Sequence, residues 1–300
     1  MIENKRDFVI VSDGSCDFTK EMAIENGVII VPFYVSFDGK TYLKETEELE
    51  VRAFYQTLID NPGKYPKSSL PTTEDYETVF NQILEQKKDI ICVCITTKFS
   101  GSYNSAMLAK ENCQNKYPDA SITVIDSMIN TGLQGLLVLE MVRMKKNGLG
   151  YKEIVDKAEK MKKTGRIYFT VGNLEYLRAG GRIGKLKALV GDALKIKPII
   201  VLREGEIFSE GLSFTRKKSF IKATNLALEY FEKNNENKDE YQFTTGYGYD
   251  IEEGKYFHDR FKEILKRDDI GLFQIGATIG VHTGPYPLGI GFIKKYEFVK

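Results

Sequence analysis

The sequence has no tryptophan, only two histidines (His258 and His282), four cysteines and eight prolines in 300 residues. Each scarcity excludes something. Cys16, Cys92, Cys94 and Cys113 form no CxxC pair, and two histidines add too little to complete a zinc site, so no metal is expected. Cys92 and Cys94 share one face of a predicted strand, which makes them small buried apolar residues in a reducing, cytoplasmic setting. Charge of one sign is also missing. Lys plus Arg number 43 against 42 Asp plus Glu, a net charge of +1, so no global field draws in nucleic acid or an anionic membrane. Long apolar runs are absent as well: "IKPIIVL" is strand-sized, well short of the ~20 residues of a membrane helix. "MIENKRDFVIVSD" has too short an apolar run for an export signal.

What is present is a 42% hydrophobic content, enough for a sizeable core, and a length that favours two domains. "FVIVSD" (8–13), "VIIVPFYV" (28–35), "DIICVCITT" (89–97) and "SITVIDS" (121–127) are β-branched runs, apolar on both faces, as buried parallel strands are. Amphipathic segments separate them, including "TTEDYETVFNQILEQKK" with its stripe of Tyr76, Val79, Phe80, Ile83 and Leu84, and "GLLVLEMVRMKK". This alternation predicts an α/β fold in which residues 1–163 form a doubly wound, mostly parallel domain. In residues 164–300, "GRIYFTVG", "IKPIIVLREGEIFSEGLSF", "YQFTTGYGY", "LFQIGATIG" and "LGIGFIKKYEF" read as strands of a mixed sheet, with a tight hairpin at "EGE" and two covering helices. No repeat or low-complexity tract is evident. A ligand is expected between the two domains.

Several short motifs carry chemistry. In "FSGSYNSA", Ser100 and Gly101 stand where a strand gives way to a helix, so a hydroxyl and free helix amides converge on one point suited to a carboxylate or phosphate. Ser100 could equally be an N-cap, or a nucleophile, although the pattern is not G-x-S-x-G and no acid is seen to orient a histidine. "DGSCD" closes the first strand with Asp13, Ser15 and Asp17; acids at a strand's carboxyl end suit metal binding or activation of a nucleophile, while Asp13 and Ser15 equally suit a simple turn. In "KYPKSSLPTTEDY", Thr72 or Thr73 suits a helix cap, leaving Ser68 and Ser69 in an extended stretch with no local task. "LRAGGRIGKL" fails the P-loop spacing, since Gly180 and Gly184 enclose three residues and Leu186 follows Lys185. Gly180 and Gly181 read as a helix C-cap that presents Arg182 to an oxyanion. His282 and Thr283 lie in a glycine-rich stretch read as a loop, where the histidine serves as base, donor or structural group.

In their order along nearly the whole chain, "VSDGSCDF", "SSLP", "FSGSYNSA", "VIDS", "LEYLRAGGRIG" and "HTGPYPLGI" resemble the motifs of the DegV family of bacterial lipid-binding proteins. The resemblance implies two α/β domains with a long-chain fatty acid between them, its carboxylate near the Ser-Gly corner and its tail in an apolar tunnel. It further implies a carrier without catalytic residues or cofactor, which presents the acid to a separate ATP-dependent fatty-acid kinase for acyl-phosphate formation. Carried over by position, Ser100 and Ser68 are the head-group hydroxyls and Gly101 adds an amide. His282 and Thr283 support the polar network, and Arg182 stands near the mouth. Leu70 replaces the family's usual glutamine, Phe99 its leucine, and Thr131 stands near a frequent serine. Two rival readings are an autonomous hydrolase or transferase using Ser100 or Asp13 with His282, and a regulatory binder of another lipid.

Overall fold

The computed structural model describes residues 6–189 and 196–300; residues 1–5, the start of the stretch weighed as an export signal, lie outside them. The chain opens with β1 (Phe8–Asp13), α1 (Lys20–Asn26) and β2 (Val28–Val31). Thr19 caps α1 by accepting from the Met22 amide, and Gly27 ends it at φ 62°. Then come β3 (Tyr34–Ser36), β4 (Leu43–Lys44), α2 (Val51–Asp60), β5 (Lys67–Ser69) and α3 (Thr73–Glu85). β6 (Asp89–Cys94), α4 (Ser102–Lys116), β7 (Ile122–Asp126), α5 (Thr131–Lys146) and α6 (Tyr151–Met161) complete the first half. The second half runs β8 (Arg166–Thr170), α7 (Glu175–Ala179), β9 (Lys197–Arg203), β10 (Glu206–Ser213) and α8 (Arg216–Lys233). It closes with β11 (Tyr241–Tyr247), α9 (Ile251–Leu265), β12 (Gly271–Gln274), α10 (Ala277–Thr283) and β13 (Leu288–Lys294). Residue 163, after which a boundary is expected, lies in the 3-10 turn Lys162–Thr164.

The described residues form three sheets, and the fold is the expected α/β with one parallel and one mixed sheet. The first, in the order β2-β1-β6-β7, is wholly parallel. Its residues alternate between two cores: Val11, Ile90, Cys92 and Cys94 face α3 and α4, whereas Ile10, Ile91, Val93 and Ile125 face α5. The second, in the order β10-β9-β8-β13-β11-β12, is antiparallel except for the β11/β12 pair. Its β9–β10 turn is the predicted hairpin, with Glu204 at φ 53° and Gly205 at φ 81°, the pair of positive angles such a two-residue turn needs. All four cysteines are free and buried. No helix among the described residues is long and apolar enough to cross a membrane.

Four readings need correction. "VIIVPFYV" is not one strand: β2 belongs to the parallel sheet and β3 to a small antiparallel sheet, β4-β3-β5. Pro32, which has no N–H to donate to a ladder, stands at the break. β2 is also an edge strand, and Ile29 is exposed. The segment around α5 is not amphipathic, because α5 is sandwiched between the first and second sheets and buries Leu133, Leu136, Leu137, Val138 and Met141 among residues of both. Finally, the stretch read as strand over 272–280 and loop over 276–292 contains helix α10 between β12 and β13.

Candidate functional site

The loops at the carboxyl ends of the parallel strands face the second sheet, and a cavity of about 1230 Å³, counting its open mouth, lies between them. This is where ligands sit in open α/β sheets. Most of its wall is apolar. Phe33, Leu70, Ile95, Phe99, Ile275 and Ile279 form one part, while Leu133 of α5, Ile167 and Phe169 of β8 and Leu202 of β9 form another. The floor on β13 is made of Gly289 and Gly291. A methyl group on Gly291 would meet Thr244 Cγ2 at 2.9 Å and Leu133 Cβ at 3.2 Å, so the glycine lets these two cavity-lining side chains pack directly on β13.

Polar groups collect at one end. Ser68 lies on β5, held by pairing with Val35 of β3, and its Oγ is 3.0 Å from His282 Nε2 on α10. Burial, helped by the nearby Arg182 charge, pushes the His282 imidazole down to about 4, so the ring is neutral at physiological pH. Its Nδ1 is buried with no partner among the described residues and packs against Gly180. A Cβ on Gly180 would lie 2.8 Å from His282 Cε1, which is why a glycine is needed there besides its place as the C-cap of α7.

The Ser-Gly corner differs slightly from expectation. α4 starts at Ser102 with Gly101 as its N-cap, so Ser100 is not the cap residue, although its hydroxyl still accepts from the Ser102 amide at 3.2 Å. Ser100 lines the cavity. Gly101 instead lines a polar recess beside the mouth together with Arg182. Arg182 reaches both spaces and is anchored through Nε to the Phe99 carbonyl (3.0 Å) and through Nη1 to the Gly180 carbonyl (2.8 Å). Thr283 lines the cavity, its hydroxyl donating to the Ile279 carbonyl at 3.1 Å. Thr131, at φ 53°, also lines it.

Behind the corner lies a buried network that sequence reasoning left undecided or missed. Asp13, wholly buried, accepts from Ser15 Oγ (2.7 Å) and Gln134 Nε2 (2.9 Å) on one oxygen, and from Ser102 Oγ (2.7 Å) and the Ile95 amide (2.8 Å) on the other. Burial pushes this carboxyl up and these donors pull it back. Asp13 thus ties the loops after β1 and β6 to α5, and each of its oxygens already accepts from two donors. α10 is held from behind in the same manner. Glu45 accepts from the Thr278 hydroxyl and amide, and Asp17 Oδ1 accepts from the Gly276 amide at 2.9 Å. Asp17 belongs to the strand-end motif "DGSCD" but was not assigned this task, and Glu45 was not singled out at all; its only available signal was an acidic residue in a segment otherwise forming short strands. His258 lies elsewhere, on α9, with its Nδ1 2.8 Å from Thr245 Oγ1. No group of three His, Cys, Asp or Glu side chains among the described residues is placed to hold a metal.

Comparison with known proteins agrees with this architecture. The model of the DegV family, described as uncharacterised proteins, matches residues 7–295. A DegV domain-containing protein of Clostridium perfringens is 30% identical over 288 residues, covering 95% of this chain and 97% of its own. Among solved structures, a stearic-acid-binding protein from Eubacterium ventriosum is 42% identical with a TM-score of 0.93, covering 97% of this chain and 100% of that one. DegV from Bacillus subtilis, described as a fatty acid binding protein, is 26% identical with a TM-score of 0.79 and covers 97% and 100%. The chain belongs to the DegV family.

Proposed function

We propose that this protein binds a long-chain fatty acid, with the carboxylate at Ser68 and Ser100 and the tail in the apolar cavity between the two sheets. The observation that carries the reading is the Ser68–His282 hydrogen bond at the polar end of a cavity whose remaining wall is largely hydrocarbon. The neutral histidine donates from Nε2 to Ser68 Oγ, which frees the serine proton to point at a ligand oxygen. An anion needs that arrangement, because the reverse direction would leave Ser68 with only lone pairs to offer. Ser100 adds a second hydroxyl, Thr283 supports the polar wall, and Gly101 and Arg182 face the approach. The tail supplies the driving force, about 0.8 kcal/mol per buried CH₂.

The same features favour a carrier over an enzyme. A serine–histidine pair that works as nucleophile and base needs a third group to orient the imidazole and stabilise its charged form. His282 Nδ1 has no such partner among the described residues, and a ring pushed down to about 4 is a weak base. We therefore assign the chemistry to a separate ATP-dependent fatty-acid kinase, to which this chain presents the carboxylate for acyl-phosphate formation in the cytoplasm. Two incubations test this. The chain alone with ester and phosphate substrates should show no turnover, and the chain loaded with labelled fatty acid should yield acyl phosphate only when kinase and ATP are added. Turnover by the chain alone would replace the carrier reading with the hydrolase one.

A further inference from the structure

Four buried threonines line the cavity, and each engages its hydroxyl with the protein: Thr244 with the Gly271 carbonyl, Thr245 with His258 Nδ1, Thr278 with Glu45 and Thr283 with the Ile279 carbonyl. Asn130 differs. It lines the same cavity, is only 9% exposed, and its carboxamide has no hydrogen-bond partner among the described residues. Although it is the N-cap of α5, its side chain makes no capping bond. The backbone around it is fixed. The Ile129 carbonyl accepts from the Thr96 amide (3.1 Å) and Ser127 Oγ (2.9 Å), and the Asn130 carbonyl accepts from the Gln134 amide (3.2 Å). Gln134, the buried carboxamide one turn further on, shows what this helix does elsewhere: it donates to Ser12 Oγ (3.1 Å) and Asp13 Oδ1 (2.9 Å) and accepts from Ser15 Oγ (2.7 Å). Asn130 also stands away from the head-group hydroxyls of β5 and the α4 corner. It opens the helix that packs on β11 and β13, where Leu133 lies against Gly291. A carboxamide offers two N–H donors and an acceptor oxygen, and a saturated tail answers none of them. Such a tail displaces water from the amide and leaves it unpaired in an apolar wall, so the cost falls on the complex with a plain alkyl chain.

We propose that Asn130 recognises an oxygen function on the acyl chain itself, so that the preferred ligands are long-chain hydroxy fatty acids. The chain hydroxyl donates to Asn130 Oδ1 and accepts from Nδ2, while the carboxylate keeps its place at Ser68 and Ser100. A hydroxyl suits the amide better than an oxo group, which can only accept. The inference rests on the fatty-acid reading above for the seats of carboxylate and tail.

The test uses the delipidated full chain, with a fluorescent fatty acid displaced by octadecanoate and by hydroxyoctadecanoates whose hydroxyl is stepped along the chain. One hydroxyl position, with its immediate neighbours, should outrank octadecanoate by about tenfold or more, the scale of pairing a buried polar group otherwise left unmet. Positions remote from it should gain nothing. In Asn130→Leu that preference should vanish while octadecanoate binds as well as before or better. The backbone there is extended (φ −156°, ψ −175°), which leucine adopts freely. Asn130→Ala, read by the same ratio of two ligands on one sample, answers the question again if the leucine variant folds poorly. If no hydroxyl position outranks octadecanoate, or if the preference survives in the variants, the inference is overturned and the fatty-acid reading stands. If no long-chain acid of either kind binds, the fatty-acid reading fails and this inference falls with it.

Discussion

His282 Nε2 lies 3.0 Å from Ser68 Oγ although the two residues are 214 positions apart, so the polar end of the cavity is closed by a contact between the small β-sheet and α10. The contact makes the two side chains one unit. Ser68→Ala and His282→Ala should each weaken fatty-acid retention, and the double variant should lose much less than the sum, since either change alone removes the donor chain. Ser100→Ala, acting on a separate hydroxyl, should cost on the order of 1.5 to 3 kcal/mol of affinity and should add to either. Displacement titrations across these variants measure both. Retention unchanged in Ser100→Ala would mean that the carboxylate lies elsewhere.

Gly180 offers a test through a residue that brings no side chain to the ligand. Its missing Cβ leaves room for the His282 ring, so Gly180→Ala should force the imidazole aside, with a stability cost of about 1 to 3 kcal/mol from overpacking. Affinity for fatty acid should fall to the level of His282→Ala. The backbone at Gly180 has φ −77°, which alanine adopts without strain, so any loss comes from the ring. Wild-type affinity and melting temperature in Gly180→Ala would contradict the packing described.

The burial of His282 has a pH signature. Its folded-state value of about 4 lies below the ordinary 6.5, so between these limits the unfolded chain binds a proton that the folded chain refuses. Stability from this group is therefore complete above about 6.5 and is lost progressively as pH falls towards about 4. The buried acids Asp13, Asp17 and Glu45, whose values are raised chiefly by burial, act in the opposite direction over the acid range. The difference between the wild type and His282→Gln isolates the histidine. It should shrink as pH falls through that window, as followed by urea denaturation, and a difference independent of pH would show a solvated imidazole.

Asp13 should matter for stability rather than chemistry. Asp13→Asn places an amide donor where Ser102, Ile95, Ser15 and Gln134 all donate, and it should cost about 2 kcal/mol or more. Denaturant unfolding checks this, and a cost under about 0.5 kcal/mol, the range of ordinary surface changes, would contradict it.

Chain-length preference should follow the glycine floor. Gly291→Ala adds a methyl against Thr244 and Leu133, both of which line the cavity, and by displacing them should shift the bound acids towards shorter or thinner chains, as read by competition among acids of graded length. An unchanged ranking would mean that the tail does not run over β13.

Much of this was legible from residues alone. β1, β6, β7, the Glu204–Gly205 hairpin, a threonine cap of α3 at Thr72 or Thr73 and the extended setting of Ser68 all follow from local pattern and turn chemistry. α10 was not legible. Gly276, Gly280 and β-branched neighbours give it low propensity, and the acids that hold its first amides, Asp17 and Glu45, stand 259 and 233 positions away from their partners. α5 was misread for a similar reason, because its polar-looking face is covered by a sheet formed later in the chain. The pairing of Ser68 with His282 likewise depends on that long-range placement of α10.

The most direct measurement is extraction of the purified chain with organic solvent, followed by mass spectrometry of what is released. A long-chain fatty acid in stoichiometric amount, or stoichiometric uptake of one after delipidation, is the predicted result. A chain that releases no such acid and takes none up would contradict the function proposed for this cavity.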